Sequence, residues 1–597
     1  MTPIQIIGCI ALGAIVIYML HVMRELGVAG RLASLRFARA PHFEILVRAA
    51  RHHPNRIVAE LDAPLSWQPR VNGREHDTRE WSAGAIHNVV CQLAGVLNGQ
   101  AVSANDRVAI YKENAFDIFL FAAASNWIGA IAAPINANLD PAIAGPYIAR
   151  LDATVLVTDR NGLARLESAG LQHCGVRTII VVDGGLEDAR TTREGIRIDA
   201  LCKLLGTPMT AVKASPCGAD DIAFIFHTSG TTGVPKGVMV SAGGLVQALR
   251  SVLKFNLVSK RDHAYFALPM NHQVAHLYTY AVLLLGLRTC FGTRMDPVHA
   301  LQTIADRRVT AFFGFPITFT RMMACDPSRY DLSSIRIWGT TADAIHEVQQ
   351  REFVKYGSFF RRLCIPRDGA VFSDGLGSTE VGIAALWRLV TPWTRKYGRR
   401  VGRPTPGGPR VKVVDEAGRP VARSQPGRLM IKGPAMFRGY WNAHDLLMKA
   451  SRDGWWFTGD IVMQLPEGDF VHLDREVDVI HGKAHLTYTL PIEEALLKHP
   501  AVLDVSVFGV INADGTAVPA AVVALHSGVP AEAGARLRDE WNAMLPSRDR
   551  LAHVWIEDWA SFPIGATGKT LRRKLRERYP GLPEFKEHVP AANAGDA

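Results

Sequence analysis

Between residues 227 and 237 the chain reads His227-Thr-Ser-Gly-Thr-Thr-Gly-Val-Pro-Lys-Gly237, directly after the apolar run Ile222 to Phe226. Gly230, Gly233 and Gly237 let backbone amides approach an anion that a Cβ would hold off. Thr228, Ser229, Thr231 and Thr232 add hydroxyl donors, and Lys236 adds a positive charge. A strand feeding such a loop suits a polyphosphate. It is not the GxxxxGK(S/T) loop of the P-loop NTPases, since Gly237 rather than Ser or Thr follows the lysine.

Further segments with chemistry-bearing residues follow in order: Pro269-Met-Asn-His272, Gly339-Thr340-Thr341-Ala342, Asp374-Gly375-Leu376-Gly-Ser-Thr379-Glu380, Gly427 to Gly433 continuing to Gly439-Tyr440-Trp441, Trp456-Phe-Thr-Gly-Asp460, Arg475, and Pro563-Ile-Gly-Ala-Thr-Gly-Lys569. Together with the loop, whose family form is TSG(S/T)TGxPKG, they resemble the adenylate-forming superfamily of acyl-CoA synthetases, nonribosomal peptide adenylation domains and beetle luciferases. The resemblance runs from about Asp106 to Arg573. It implies a large N-terminal domain, a small mobile C-terminal domain and two half-reactions.

Residue by residue, the resemblance assigns the ATP phosphates to Thr228 through Lys236. It assigns the adenine site to Gly339, Thr340 and Thr341 and to Asp374, Gly375 and Leu376. Leu376 stands where an aromatic residue often stacks. Thr379 is expected on the α-phosphate and Glu380 on Mg²⁺, which favours one or two carboxylates with phosphate oxygens. Asp460 and Arg475 are expected at the ribose. Lys569 is the expected catalytic cation, bridging carboxylate and phosphates where charge builds up. Gly565 departs from the threonine usual in that last motif. His272 reads equally as a contact in the acid pocket and as a satisfied core histidine. The Gly427 to Trp441 block reads as scaffold.

At the start of the small domain the pattern loosens. Val477 stands where Asp or Lys is usual at the hinge, Ala484 aligns with a glycine bordering the thioester tunnel, and Thr489 aligns with a proline. A one-residue shift would make Asp478 the hinge instead. These departures touch the second half-reaction and not the first. CoA is therefore the expected acceptor, with an acyl carrier protein thiol or an internal nucleophile as the alternative, and a non-catalytic acid or nucleotide sensor as a remote one.

The elements that must position these residues read as an α/β fold. A helical pattern ends at Gly99. Strand-like runs at Arg107 to Tyr111, Thr154 to Thr158, Thr178 to Val182, Ile222 to His227, Ala311 to Phe315 and Ile335 to Trp338 alternate with helix-length segments, which predicts a large layered α/β domain over residues 45–474. After Gly407, short alternating strands at Arg410 to Val414, Gly427 to Lys432 and Asp469 to Leu473 predict a small β region. A smaller mobile α+β domain is expected over 475–585, with a tail at 586–597.

Residues 1–25 decide location. No charged side chain occurs from Met1 to Met23, and Ile4 to Leu20 are apolar except for Gln5, Gly8 and Gly13. That is close to the roughly 20 residues that span a bilayer, so a single N-terminal transmembrane helix is expected. Arg24, Arg31, Arg36 and Arg39 follow it and assign the catalytic body to the cytoplasm. The net charge of +11 is spread along 597 residues, and Tyr397 is the one aromatic in the two basic clusters, Arg395 to Arg403 and Arg572 to Arg578, so no nucleic-acid platform is indicated. Arg395 to Arg403 reads as a solvated loop. Eight cysteines without a CxxC pair point to a reduced compartment, with the thiols as small buried hydrophobes. The expected activity is ATP- and Mg²⁺-dependent activation of a lipophilic carboxylic acid, fatty or aryl, to acyl-AMP and then to a CoA thioester at a membrane.

Overall fold

A computed structural model of the chain describes residues 3–28, 31–32, 35, 41–207, 211–228, 235–255, 257–526, 533–565 and 568–582, with side chains from Leu12 onward. The chain divides into two compact units. One comprises residues 1–472 with 566–568, the other the remainder from Leu473.

The large unit is built on two sheets. In the first, the order is Lys236–Ser241, Ile222–Thr228, Ile131–Asn136, Arg107–Lys112, Ala153–Thr158, Thr178–Val181, Arg197–Ala200 and Arg190–Thr191. Its interior strands are parallel, with Arg107 opposite Ile131 and Thr178 opposite Val155. Ile131–Asn136 is buried at every position, the signature of a parallel strand covered on both faces. Crossover helices start at caps written into the sequence: the Ser82 side chain accepts from the Ala85 amide, Asp140 from Ala142, and Asp159 from Gly162.

The second sheet has fourteen strands. Its parallel core runs Arg288–Phe291, His263–Ala267, Ala311–Gly314, Ile337–Thr340, Val371–Gly377. Ile57–Leu61 extends it past Arg288–Phe291, and Glu80–Ser82 closes that edge. On the other side the antiparallel strands Ala384–Val390 and Arg400–Pro404 lead into Phe470–Arg475, Trp455–Gln464, Pro426–Lys432 and Arg410–Val414. The small β region expected after Gly407 is thus the far end of the large sheet, because Arg400–Pro404 pairs with both halves.

The small unit is α+β. Val502–Ile511 pairs antiparallel with Ala517–Leu525, which pairs parallel with His553–Ile556. Val505 and Val507 face Leu496 and Trp541, whereas Phe508 and Val510 face Leu575, so the two-residue period places helices on both sides. The tail after 582 lies outside the described residues.

Two surface expectations change. Arg399 is buried, with Nη1 donating to the Ala344 carbonyl at 3.1 Å, and Arg400 and Arg403 pair with Asp469, so the basic cluster stitches the sheet. Cys202 and Cys364 are exposed and not buried.

The N-terminal helix runs Pro3–Glu25. Its last turns dock on the large unit, whereas Leu12, Ile15, Ile17 and Leu20 are exposed. Among the described residues no helix is long and apolar enough to cross a membrane, so the transmembrane helix expected at the N-terminus is not found among them.

Candidate active site

The phosphate loop is the connection of a hairpin. Ile222–Thr228 and Lys236–Ser241 pair antiparallel, with Thr228 opposite Lys236, so the hydroxyl and the cation face each other across its mouth. Ser229, Gly230, Thr231, Thr232 and Gly233 lie outside the described residues. Gly237 carries no Cβ because one there would sit 2.9 Å from Ile225 Cγ2 and 3.2 Å from the Tyr147 hydroxyl. That hydroxyl is buried and has no hydrogen-bond partner among the described residues. His227, half-buried at the end of the strand, accepts the Asn136 amide at 2.8 Å through Nε2, and desolvation pushes its pKa down to about 4, so it is neutral.

The Gly439-Tyr440-Trp441 segment, read from sequence as scaffold, does more. It pairs with the strand after the loop: the Met239 amide donates to Gly439 O at 3.0 Å and the Trp441 amide to Gly237 O at 2.7 Å. This sets Tyr440 between two expected ATP contacts. Its ring lies 5.5 Å from Lys236 Nζ, and its hydroxyl donates to Glu380 Oε1 at 3.1 Å. Glu380 and Thr379 are both buried, and the Phe437 amide fixes Glu380 by donating to its carbonyl at 2.9 Å. Tyr440 is a positioning residue that the motif alone did not reveal.

Neighbouring strand ends carry the expected adenine residues. Ile337–Thr340 and Val371–Gly377 lie side by side with Gly339 opposite Ser373. Gly339 needs its missing Cβ because the Phe313 ring occupies that place, and Leu376 is packed in the core. Ala342, one past Thr341, takes a left-handed conformation that turns the chain out of the strand (φ 77°). Asp374 is buried and accepts from Gln350 Nε2 at 2.9 Å through Oδ2. Thr340 Oγ1 and Ser378 Oγ are buried and have no hydrogen-bond partner among the described residues. Polar atoms orphaned this way cost about 1–3 kcal/mol each unless a ligand meets them, so the cluster fits a polar guest such as a nucleotide. Burial pushes the Asp374 carboxyl up to about 7, with Arg388 and Arg399 partly offsetting it.

Asp460 is buried, and His472 Nε2 stands 3.4 Å from its carboxylate, a partner not apparent from sequence because twelve residues separate them. His272 caps the helix Gln273–Leu285, its ring edge-on to Phe315 at 5.1 Å. That helix, not His272 itself, borders an apolar cavity, lined also by Val252, Leu257, Val258, Phe266 and Phe313, with Ser373 its polar hydroxyl beside Asp374. Phe266, Tyr278 and Phe313 meet pairwise at 5.5 Å around it.

In the small unit, Lys569 is exposed at the end of a tight turn in which the Gly565 amide donates to Lys569 O at 2.8 Å and Leu571 N to Pro563 O at 2.7 Å. Arg475 follows Asp474, which is wholly buried. The Asp474 carboxylate accepts from the Arg475 amide at 2.8 Å, the Thr489 amide at 2.6 Å and the Thr489 hydroxyl at 3.0 Å. A proline at 489 would lack that amide hydrogen, so the departure from the family residue is part of a bonded pair. Asp478 accepts from Arg572 at 3.2 Å and Arg576 at 3.1 Å, which ties it to the C-terminal helix, while Val477 and Ala484 are exposed.

Away from these residues, Glu60, His263 and Cys290 cluster at metal-ligand spacing, but Arg288 and Arg307 bond the same carboxylate and would repel a cation.

Comparison with known proteins agrees with this geometry. The model of the AMP-binding enzyme family matches residues 46–441, and that of the AMP-binding enzyme C-terminal domain matches residues 491–569. The chain is similar to a 3-aminoavenalumate diazotase from a Streptomyces species, 30% identical over 522 residues, covering 83% of this chain and 89% of the relative. It is similar also to a feruloyl-CoA synthase from an Amycolatopsis species, 26% identical over 533 residues, 86% of this chain and 96% of the relative. Among solved structures it shares the fold of an anthranilate CoA ligase bound to anthranoyl-AMP, with a TM-score of 0.76 at 22% identity over 90% of this chain and 97% of the other. The chain therefore belongs to the AMP-binding enzyme family and is an adenylate-forming enzyme of the carboxylic-acid-activating superfamily, with a large N-terminal and a small C-terminal domain.

Proposed function

We propose that this enzyme converts a lipophilic carboxylic acid, fatty or aryl, to its acyl-AMP and then to a CoA thioester, held to a membrane by the apolar run Ile4 to Leu20 with its body in the cytoplasm. The observation that carries the choice of acid is the apolar cavity, whose lining is hydrocarbon and aromatic apart from the Ser373 hydroxyl and which lies next to the nucleotide strands. In the first half-reaction a carboxylate oxygen attacks the α-phosphorus of ATP, the bond to the β-phosphate oxygen breaks, and pyrophosphate leaves through the Thr228 to Lys236 loop. Lys236 and Lys569 offset the charge that accumulates, and Thr379 donates to the α-phosphate. Glu380, held by Tyr440, is the residue that would carry Mg²⁺, which supplies further charge neutralisation on the phosphates when bound. Asp460 accepts from the ribose hydroxyls, joined by Arg475, and Thr340 and Asp374 meet the base.

A second reading is favoured by Val477, Ala484 and Thr489 together with the 30% identity to a diazotase. Here the acyl group of the acyl-AMP passes not to CoA but to a carrier-protein thiol or an internal nucleophile, or the nitrosyl group of a likewise adenylated nitrite passes to the nitrogen of an aryl amine, and in each case AMP leaves. Purified full-length enzyme offered fatty and aryl acids with ATP, with and without CoA, decides by product mass. A CoA thioester supports the first reading. Acyl-AMP unchanged by CoA, or turnover only when nitrite and an aryl amine are supplied, moves the assignment to the second.

A further inference from the structure

The N-terminal helix ends on a part of the large unit that the adenylation chemistry does not use. Tyr18 Oη donates to Leu363 O at 3.0 Å and the His21 ring bonds Arg362 O at 2.7 Å. Arg336 Nη2 donates to Glu25 O at 2.9 Å. Gly27, in the left-handed region at φ 62°, packs so closely on the next segment that a Cβ would sit 2.5 Å from Ser259 Cβ and 3.3 Å from Val258 O. The root of the helix is therefore fixed, and what projects from it is apolar on every side. Leu12, Ile15, Val16, Ile17, Met19 and Leu20 span more than two turns, and all are exposed. A helix meant for a groove on another protein shows one apolar stripe; one apolar all round suits lipid.

Around that root the surface has the composition of a membrane–water boundary. Trp393 is 44% exposed, its ring set edge-on to Phe360 at 4.3 Å and stacked under the Arg367 guanidinium at 4.8 Å. Ile365 is exposed as well, and Arg24 and Arg361 present charge there, Arg24 sharing its own with Glu25 at 3.6 Å and Arg361 with Asp368 at 2.6 Å. Tryptophan and arginine concentrate at headgroup depth, where the ring takes the mixed environment and the cation meets phosphate. The same face backs the acid cavity: Val258, on whose carbonyl Gly27 packs, lines the apolar cavity on its inner side.

We infer that the root of the N-terminal helix, with Arg24, Ile365, Arg367 and Trp393, is a docking face for an anionic bilayer that sets the Val258 end of the acid cavity toward lipid. The inference rests on the reading of the N-terminal run as a membrane anchor and adds to it a headgroup-reading surface. The acid then reaches the cavity from the leaflet in which it is dissolved, and not from water.

The test uses the full-length enzyme floated with vesicles of phosphatidylcholine alone or mixed with phosphatidylglycerol. Wild type is expected to float with both and more strongly with the mixed vesicles. Arg24→Gln and Arg367→Gln should each weaken binding to the mixed vesicles by about fivefold and leave binding to phosphatidylcholine unchanged. Trp393 fluorescence, taken as the difference from Trp393→Phe, should be quenched by lipids brominated near the headgroup. If wild type floats equally on both vesicles and Trp393 is not quenched, the docking face is wrong while the anchor stands. If wild type does not float at all, the anchor reading falls and the inference with it. A dimer in vesicle-free solution that shields Trp393 from aqueous quencher would make a second copy the occupant and overturn the proposal.

Discussion

Replacing Asp374 by asparagine should stabilise the ligand-free enzyme, and only above a definite pH. Asp374 is buried in the middle of Val371–Gly377, with one carboxylate oxygen on Gln350. Its proton is held in the fold to about pH 7, against 3.8 for the free side chain, a difference worth about 4 kcal/mol. Because the folded state binds that proton more tightly, the stabilisation it brings is complete below the free value and is lost as pH rises through about 7. Asparagine has nearly the same shape, keeps an acceptor for Gln350 and cannot ionise. Its advantage over wild type should therefore be absent at about pH 4, grow to about pH 7 and level off at no more than ~4 kcal/mol. In a chain of this size, where the unfolding entropy is on the order of 1 kcal/mol/K, that corresponds to a rise in Tm of no more than about 3–4 °C at pH 8. Differential scanning calorimetry of both proteins from pH 5 to pH 8 measures it. A Tm difference of the same size and sign at every pH would refute the reasoning, since burial of an ionisable carboxyl would then not be its source.

Tyr440→Phe removes the hydrogen bond to Glu380 and should lower the rate of ATP–pyrophosphate exchange about 10-fold while raising the Mg²⁺ concentration needed for half-maximal rate, a shift that a purely structural role would not produce. Lys569→Ala should lower adenylation by at least about 100-fold while leaving Tm unchanged, since the side chain is exposed; normal pyrophosphate exchange would remove it from the mechanism. Thr489→Pro, which restores the family residue, should cost about 1–3 kcal/mol in denaturant unfolding of the full chain because the buried Asp474 loses its shortest bond, and unchanged stability would show the pair to be incidental.

Much of the fold was legible because the parallel strands are uniformly apolar runs bounded by turn residues. Arg410–Val414 is legible to the residue, and Arg107–Lys112, Ala153–Thr158 and Thr178–Val181 to within one. Ile335 to Trp338 was misplaced by two, since Arg336 is buried and paired with Asp262 at 2.5 Å just before the strand begins. The nucleotide residues were legible through motif and not through periodicity: nothing in the local pattern of Asp374 or Glu380 says that they are buried. What escaped were partners brought from elsewhere in the chain, such as Tyr440 on Glu380 across 60 positions and Thr489 on Asp474 across 15. A polar residue's role is set by its partner, and a single sequence does not pair them.

The position of Ile57–Leu61 between Glu80–Ser82 and Arg288–Phe291 governs how the protein is born. On the ribosome the Glu80–Ser82 neighbour emerges almost at once, but at ~5–20 residues per second the Arg288–Phe291 neighbour follows only after on the order of 10–50 s. For that interval an apolar segment waits with one backbone edge unpaired, long enough to recruit a chaperone or to find the wrong strand. Newly made chains are thus most vulnerable to aggregation midway through translation, and synonymous codon changes that slow elongation between residues 82 and 288 should lower the yield of native enzyme without altering a single amino acid.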